Sequence, residues 1–477
     1  MTTKKIKIAY GDDFIEVQNY PNIKQVVSPN ILPKPPALGG LLKKALNEPV
    51  GSPPLRELAE PGDRVAVLLS DPARNFPKQQ MFDAVIDELH KAGVKDEDIR
   101  LIVASGLHPV FPDERIGIYE AQLKRYNCIW NDARDNSKLG FIGLTPGKRD
   151  WPGYISYLGR IAQHKLEDPA GELLDFLSEI SRRDKEALKF RRIFSLPARV
   201  GITVGATLRT PVSINRQARS ADLIVTIGQI KPHYFAGFGG GAKSILPGVA
   251  GKLTIGANHA SKTHPRARLG VLEGNLARRD MEDAARLYRG KLFMFNVCMD
   301  SKKRVRAAAA GDIVKAHRML VPWVRRIGQV KVGERTDIVI AGQSLPASMN
   351  VWQMTKTVVP AAKCVKPGGV IICAGPCREG VGGSVQSCEA IYQIGMLKFL
   401  PPRVDVKLIC EMRDLRPFRN MFFDPQPSIE QAMEQAWEKC GRNASITVLT
   451  DAGPMITVAP EEDDSDWDDD LVPRYLD

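Results

Sequence analysis

The sequence predicts an α/β fold: two α/β domains with mostly parallel sheets, an active-site cleft between them, and a helical insert in the first domain. Three observations predict it. Apolar runs of strand length alternate with runs of helical spacing, and the alternation occurs twice, before and after about residue 330. Strands that alternate with helices imply parallel pairing through right-handed crossovers. Asp71, Arg74, His108 and His233 all fall at the carboxyl ends of predicted strands, where open α/β sheets bind their ligands.

The elements follow in order. A region rich in proline and turns (NILPKPPALGG, NEPVGSPPL) leads into DRVAVLLSD, residues 63–71, a buried strand. PKQQMFDAVIDELHKAG carries Met81, Val85, Ile86 and Leu89 at helical spacing and stops on a glycine. IRLIVASGLH, residues 99–108, is the next strand, and ADLIVTIGQI, residues 221–230, is a third that runs up to His233. Between them lies the insert, about residues 130–205, where Asp168-Pro169 reads as a helix start and Leu173, Leu174, Leu177, Ile180 and Leu188 follow at helical spacing. A second unit begins near residue 334: TDIVIAGQS, the helix MNVWQMTKTVVPAAKCV, GGVIICAGP, DVKLICEM, the helix SIEQAMEQAWEKCG, and SITVLTD. The expected division is therefore 1–330, then 334–460, then an acidic tail at 461–477.

Composition excludes several classes. With 477 residues, 43% hydrophobic and 26% charged, the chain is of ordinary globular type. No apolar run reaches the length of a membrane span, and MTTKKIKIAYGDDF has no apolar signal core, so a cytoplasmic location is expected. The eight cysteines form no C-x-x-C pair; CAGPC, Cys373 to Cys377, is the one spacing open to a thiol pair or half a metal site, against a plain reading as buried apolar thiols. The formal charge is +12, of which the tail contributes −8, leaving +20 on the rest. The basic residues are scattered and no nucleic-acid motif accompanies them, so a field that draws in small anions fits the charge.

The stretch HYFAGFGGGAKSILPG packs five glycines around Lys243, with His233 ten residues upstream. A phosphate loop would need a helix starting at its lysine, whose N-terminus supplies donors. Here ILPG follows, and Pro247-Gly248 disrupts the first turns. The histidines point elsewhere. Of the seven, His90 and His164 fall in polar helical segments, and His264 and His317 carry no clear signal; His108, His233 and His259 sit at strand ends or beside the glycine loop. Two histidines on opposite sides of one carbon are what a racemase or epimerase needs, and a third can hold a metal.

The segments SDPARNFP, ASGLHPVFPDE, INRQARSADLIVTIGQIKPHYFAGFGGGAKSILPGVAGKLTIGANH, MNVWQMTK and KPGGVIICA, in that order, resemble the lactate racemase family of nickel-pincer enzymes. IKIAYGDDFIEV and GSPPLRELAEPGDRVAVLLSD are also similar, so the resemblance spans most of the chain except the insert and the tail. By that resemblance Lys243 is the attachment point, through a thioamide, of a pyridinium-3,5-dithiocarboxylic acid-type mononucleotide that binds nickel through two sulfurs and a ring carbon. His259 is implied as the fourth nickel ligand, a soft-donor set of a kind nickel accepts. Gly239, Gly240 and Gly241 are implied to let the backbone approach the cofactor. His108 and His233 are implied as the paired acid and base: one takes the substrate hydroxyl proton, a hydride passes from C2 to the pincer ring, and its return to either face inverts or restores the centre. Arg74 is implied to bind the substrate carboxylate, with Asp71 orienting it and Trp352, Gln353 and Lys356 reaching the substrate from the second domain.

The expected function is thus a 2-hydroxy acid racemase or epimerase, an isomerase served by cofactor-biosynthesis enzymes, with no nucleic-acid or membrane partner. The alternatives are a non-catalytic pincer-binding or maturation protein and a P-loop-like nucleotide enzyme. Pro109 stands where the family often has arginine, Trp352 where its lactate-specific members have tyrosine, and the insert is long. These departures point to a larger or differently charged 2-hydroxy acid than lactate.

Overall fold

The computed structural model describes residues 5–70, 74–108, 125–147, 209–264, 266–382, 399–412 and 423–462. Strands β1 (Ile6–Gly11), β2 (Asp13–Val17) and β3 (Ile23–Val27) open the chain. β4 (Val65–Ser70), β5 (Ile99–Ala104), β6 (Asn127–Trp130), β7 (Leu223–Ile230), β8 (Lys291–Met299) and β9 (Val305–Gly311) make a six-stranded sheet in the order β9-β8-β7-β4-β5-β6. Only the β8–β9 pairing is antiparallel. β4 reads VAVLLS and is buried at every position but Ser70, as a strand covered on both faces must be. The helix expected after it is α2 (Lys78–Lys91), and Met81, Val85, Ile86 and Leu89 form its buried face. From β4 the chain runs outward to β5 and β6, then returns to the other side of β4 for β7. That reversal is the topological switch point, where the crevice outside the strand ends opens.

The second sheet is built around β10 (Thr336–Ser344). β11 (Val365–Ala374), β12 (Asp405–Ile409) and β13 (Phe423–Gln426) extend it on one side, all parallel. β14 (Ile446–Leu449) pairs β10 on the other side, with β3 beyond it. β1 joins the end of β10 through Tyr10↔Gln343 and Gly11↔Ser344, and β2 folds back on β1. Residues 6–27 therefore pair with the second sheet, which departs from a first domain that begins at residue 1. The reason is that a strand's partner is fixed by long-range pairing, on which local periodicity is silent.

The insert also differs where it is described. Residues Leu139–Leu144 (LGFIGL) form a strand antiparallel to Pro211–Asn215, so the insert opens on an extended ribbon and not on a helix. Asp168, Leu173, Leu174, Leu177, Ile180 and Leu188 lie outside the described residues, as does the tail beyond 462.

Helices α1 (Leu38–Asn47) and α2 pack on one face of the first sheet. α7 (Ile429–Cys440) packs on the second and is capped by Ser428 Oγ, which accepts from the Gln431 N–H. The largest core runs without interruption from the other face of the first sheet through α4 (Leu276–Arg286) and α5 (Lys315–Gly328) to α6 (Val351–Ala362) beside β10. α3 (Lys252–Ala260) completes the first unit. No helix of the described residues is long and apolar enough to cross a membrane.

Cys298, Cys364, Cys373 and Cys377 are buried and Cys128, Cys410 and Cys440 half-buried, all as thiols; Cys388 is outside the described residues. Within CAGPC, Cys373 belongs to β11, and the hydrogen-bond partner of Cys377 is Cys410, beyond the end of β12. That bond raises the Cys377 thiol and lowers Cys410 to about 7.

Candidate active site

β7 ends at Ile230, and the chain turns back at once. Pro232–His233 pairs antiparallel with Gly237–Phe238, a ribbon that places Phe235 at its bend. Phe235 is 2% exposed and its ring gathers the expected site. The His233 ring stands edge-on to it at 4.7 Å between centroids, and the His259 ring lies at 4.9 Å. Lys243 Nζ sits 5.4 Å from the same centroid. His233, Lys243 and His259, from the ribbon, the glycine loop and α3, thus meet on one aromatic side chain, next to the switch point.

The glycine loop has a local reason for its composition. Gly240 (φ +71°) and Gly241 (φ +58°) occupy the left-handed region. A Cβ on Gly240 would lie 2.7 Å from Asn296 Oδ1, and one on Gly241 2.9 Å from His317 Cδ2. The demand for glycine there comes from beneath the loop. Lys243 lies on a single 3-10 turn, Gly241–Ser244, and the next α-helix starts only at Lys252. Lys243 therefore does not open an α-helix, as the lysine of a nucleotide-binding P-loop does. His259 comes from the last turn of α3. Its neighbour Asn258 donates to Asp280 Oδ2 at 2.9 Å, and Asp280 also accepts from the hydroxyls of Thr145 (2.7 Å) and Thr210 (2.8 Å).

Electrostatics tie in the remaining residues. Burial, and then Lys243, Lys356, His259 and Arg74, push the His233 pKa well below the ordinary histidine value. Burial, and then Arg278, Lys356 and Arg74, push Lys243 well below the ordinary lysine value. Both side chains are half-buried and yet strongly desolvated. Arg74, beyond β4, and Lys356, on α6, therefore act on the same histidine and lysine. The Ala236 N–H donates to His233 Nδ1 at 3.3 Å, which puts the proton of the neutral ring on Nε2.

On α6, Asn350 caps the helix by accepting from the Gln353 N–H at 2.9 Å. Gln353 is buried and accepts from Lys356 Nζ. Trp352 lies under the buried Lys262, whose Nζ is 5.4 Å from the indole ring. His108 follows β5; its N–H donates to Ser105 O, and Gly106 N–H donates to Gly248 O at 2.9 Å, which ties the His108 loop to the segment after Lys243. Asp71 and Pro109 lie outside the described residues. Among the described residues no group of three or more His, Cys, Asp or Glu could hold a metal. A single imidazole ligand would not form such a group.

Several residues carry the site without any sequence signal that marked them. Phe235 reads as one more aromatic in a loop. Arg278, Asp280 and Glu282 on α4 belong to no motif in the sequence, yet all three are buried. His317, set aside on sequence, is fully buried against Gly239 O.

Comparison with known proteins places the chain in a family. The family model described as lactate racemase N-terminal domain matches residues 10–151 and 198–270, and that described as lactate racemase C-terminal domain matches 332–393. A lactate racemase of Thermoanaerobacterium thermosaccharolyticum is 26% identical over 444 residues, 87% of this chain and 89% of that protein. One of Lactiplantibacillus plantarum is 25% identical, over 86% of this chain and 88% of that protein. The structure of the lactate racemase apoprotein from T. thermosaccharolyticum shares the fold with a TM-score of 0.73 at 24% identity, covering 95% of this chain and all (100%) of that one. A crystal structure of a Thermotoga maritima protein does so at 0.60 and 14% identity, covering 90% of this chain. With both domain models matched in order across more than half its length, the chain belongs to the lactate racemase family.

Proposed function

We propose that this protein is a racemase or epimerase of a 2-hydroxy acid, and that it works with a nickel-pincer nucleotide held at Lys243 and His259. The observation that carries the proposal is the meeting of His233, Lys243 and His259 on the Phe235 ring, with Arg74 and Lys356 acting on the same groups. The donor set suits the group. An imidazole at this site serves a soft, sulfur-ligated nickel, whereas a hard cation would call for carboxylates. Arg278, Lys356 and Arg74 supply positive charge for a phosphate-bearing, anionic nucleotide. Burial and the neighbouring cations push Lys243 toward the uncharged amine, the form that can be acylated.

When bound, the nucleotide would supply a reversible hydride acceptor beside the substrate C2. The chain's own residues would do the rest. Arg74 takes the carboxylate through its planar fork, oriented by Asp71. Lys356, steadied by Gln353, adds a second cation from α6. His233, neutral and protonated on Nε2, donates to the substrate oxygen in the resting state, and His108 accepts the hydroxyl proton first. For the opposite enantiomer His233 would serve as the base in its Nδ1–H tautomer, which gives up the Ala236 N–H bond and leaves Nε2 free to accept the hydroxyl proton. Trp352, locked under Lys262, would bound the side-chain pocket and select an acid other than lactate. Gly239 to Gly241 bring the backbone up to the nucleotide.

The test uses protein co-produced with the pincer biosynthetic enzymes and a panel of enantiopure 2-hydroxy acids in deuterated water. Chiral chromatography should show loss of optical purity with C2 largely free of solvent deuterium, because the same hydride returns. Full deuteration at C2 would mean proton abstraction, and no conversion by nickel-loaded protein across the panel would overturn the reading.

A further inference from the structure

Three consecutive glycines give the backbone more freedom than any other sequence, and fixing each residue costs about 1–2 kcal/mol. The loop Gly239–Gly241 nevertheless has to deliver one amine to one place. Beneath it lies a buried polar network. Arg278 on α4 is 0% exposed; its Nη1 donates to both Phe238 O and Gly240 O at 3.3 Å, and its Nε donates to Glu282 Oε1 at 2.7 Å. His317 on α5, also 0% exposed, has Nε2 2.9 Å from Gly239 O and Nδ1 3.2 Å from Arg318 Nη1. Arginine can only donate, so His317 Nδ1 accepts and Nε2 carries the proton that goes to Gly239 O. Arg318 in turn forks onto Glu282 at 2.7 and 3.0 Å.

Three successive carbonyls, those of Phe238, Gly239 and Gly240, are thus held by two side chains from two helices. The Gly240 carbonyl is the link to the lysine, because it also accepts from the Lys243 N–H at 3.2 Å. Asn296 Oδ1 completes the clamp by accepting from the Gly241 N–H at 2.9 Å. A buried ionic cluster of this kind is not an economical way to stabilise a core, since apolar packing of the same volume does as well or better. Its geometry serves the loop.

We infer that Arg278 and His317 are positioning residues for Lys243: they fix the carbonyls of residues 238–240 so that the turn Gly241–Ser244 carries the amine to the Phe235 ring that His233 and His259 also meet. The inference rests on the reading of Lys243 as the cofactor attachment point for its purpose, and on the hydrogen bonds alone for its mechanics.

Four full-length variants test it: His317→Leu, His317→Gln, Arg278→Met and Arg278→Lys. Glutamine keeps a donor where His317 Nε2 stands; leucine removes it. In the apo-protein, deuterium exchange of the peptide spanning residues 237–248 is read against that of α2. In protein co-produced with the pincer enzymes, nickel and the intact mass of the chain give the loaded fraction. His317→Leu should speed exchange of the loop peptide about tenfold, the weight of one buried hydrogen bond, with α2 unchanged, and should lower loading by a similar factor. His317→Gln should restore both. Arg278→Lys keeps the charge but not the fork and should fall between wild type and His317→Leu; Arg278→Met should be at least as severe, and if it fails to fold the histidine pair decides. Folded His317→Leu with wild-type exchange and loading would overturn the inference, as would failure of glutamine to restore them. If the wild type itself takes up no nickel, the proposed function falls, and the exchange arm still decides the clamp.

Discussion

Replacing Lys243 by methionine should make the apo-protein more stable. The lysine is pushed toward its uncharged form by burial first and then by Arg278, Lys356 and Arg74. At pH 7 the unfolded chain protonates this lysine and the folded chain resists doing so, so the difference favours unfolding. Methionine removes that penalty and places a thioether over the Phe235 ring, a favourable contact of about 0.3–1.5 kcal/mol. Apolar replacement of a buried ion pair is often stabilising by about 1–4 kcal/mol, and for this single, half-buried charge a gain of about 1–2 kcal/mol is expected. For a domain of 150–250 residues each kcal/mol moves the midpoint by about 2–4 °C, so a rise of roughly 2–8 °C is expected. The sign of the pH dependence follows. The penalty is present at all pH values below the unfolded lysine's pKa and fades as pH rises toward 10.5, where the unfolded side chain also loses its proton. Calorimetry of the apo-protein at pH 7 and pH 9.5 measures both, with cofactor withheld so that its binding does not mask the effect. A methionine variant no more stable than wild type at pH 7, or a gain that does not shrink at pH 9.5, would refute the reasoning.

Other outcomes follow from the same geometry. His233 and His317 are both held neutral, by burial first, so stability should be full above pH 6.5 and fall below it as the unfolded histidines protonate, by about 1.4 kcal/mol per pH unit for each; urea unfolding at pH 7 and 5.5 should show this, and His317→Gln should remove about half of the slope. Asp280→Ala strands the donors of Thr145, Thr210 and Asn258 and should cost about 2–4 kcal/mol in urea, with Asp280→Asn recovering part of it. His259→Ala in co-produced protein should lower nickel from about one per chain to near zero, by elemental mass spectrometry, with the circular dichroism spectrum unchanged. Trp352→Tyr should raise kcat/KM for lactate relative to bulkier 2-hydroxy acids by about tenfold, the usual weight of a reshaped pocket wall; an unchanged ratio would remove Trp352 from the specificity site.

The contrast between what the chain announces and what it conceals has a physical basis. β4, β5, β7 and, in the second sheet, β10 and β14 are largely apolar runs, and their carboxyl ends are readable as positions, which is why Arg74, His108 and His233 stand out in the sequence. The N-terminal hairpin was not placed, because IKIAYG carries no information about pairing with a strand more than three hundred residues away. Phe235 was missed for a different reason: an aromatic in a glycine-rich loop looks like loop filling until three partners are seen on its ring. The α4 network is the most instructive case. Arg278 and Glu282 are spaced i, i+4, the signature of a solvent-exposed helical ion pair worth a few tenths of a kcal/mol. What turns that surface pattern into a buried clamp is Arg318 on another helix, which neutralises Glu282 from the far side, and a glycine run with three carbonyls to satisfy. Sequence shows each charge but not its depth. Depth is set by complementarity between elements that meet only in the fold, and here that complementarity lies directly under the lysine on which the proposed chemistry depends.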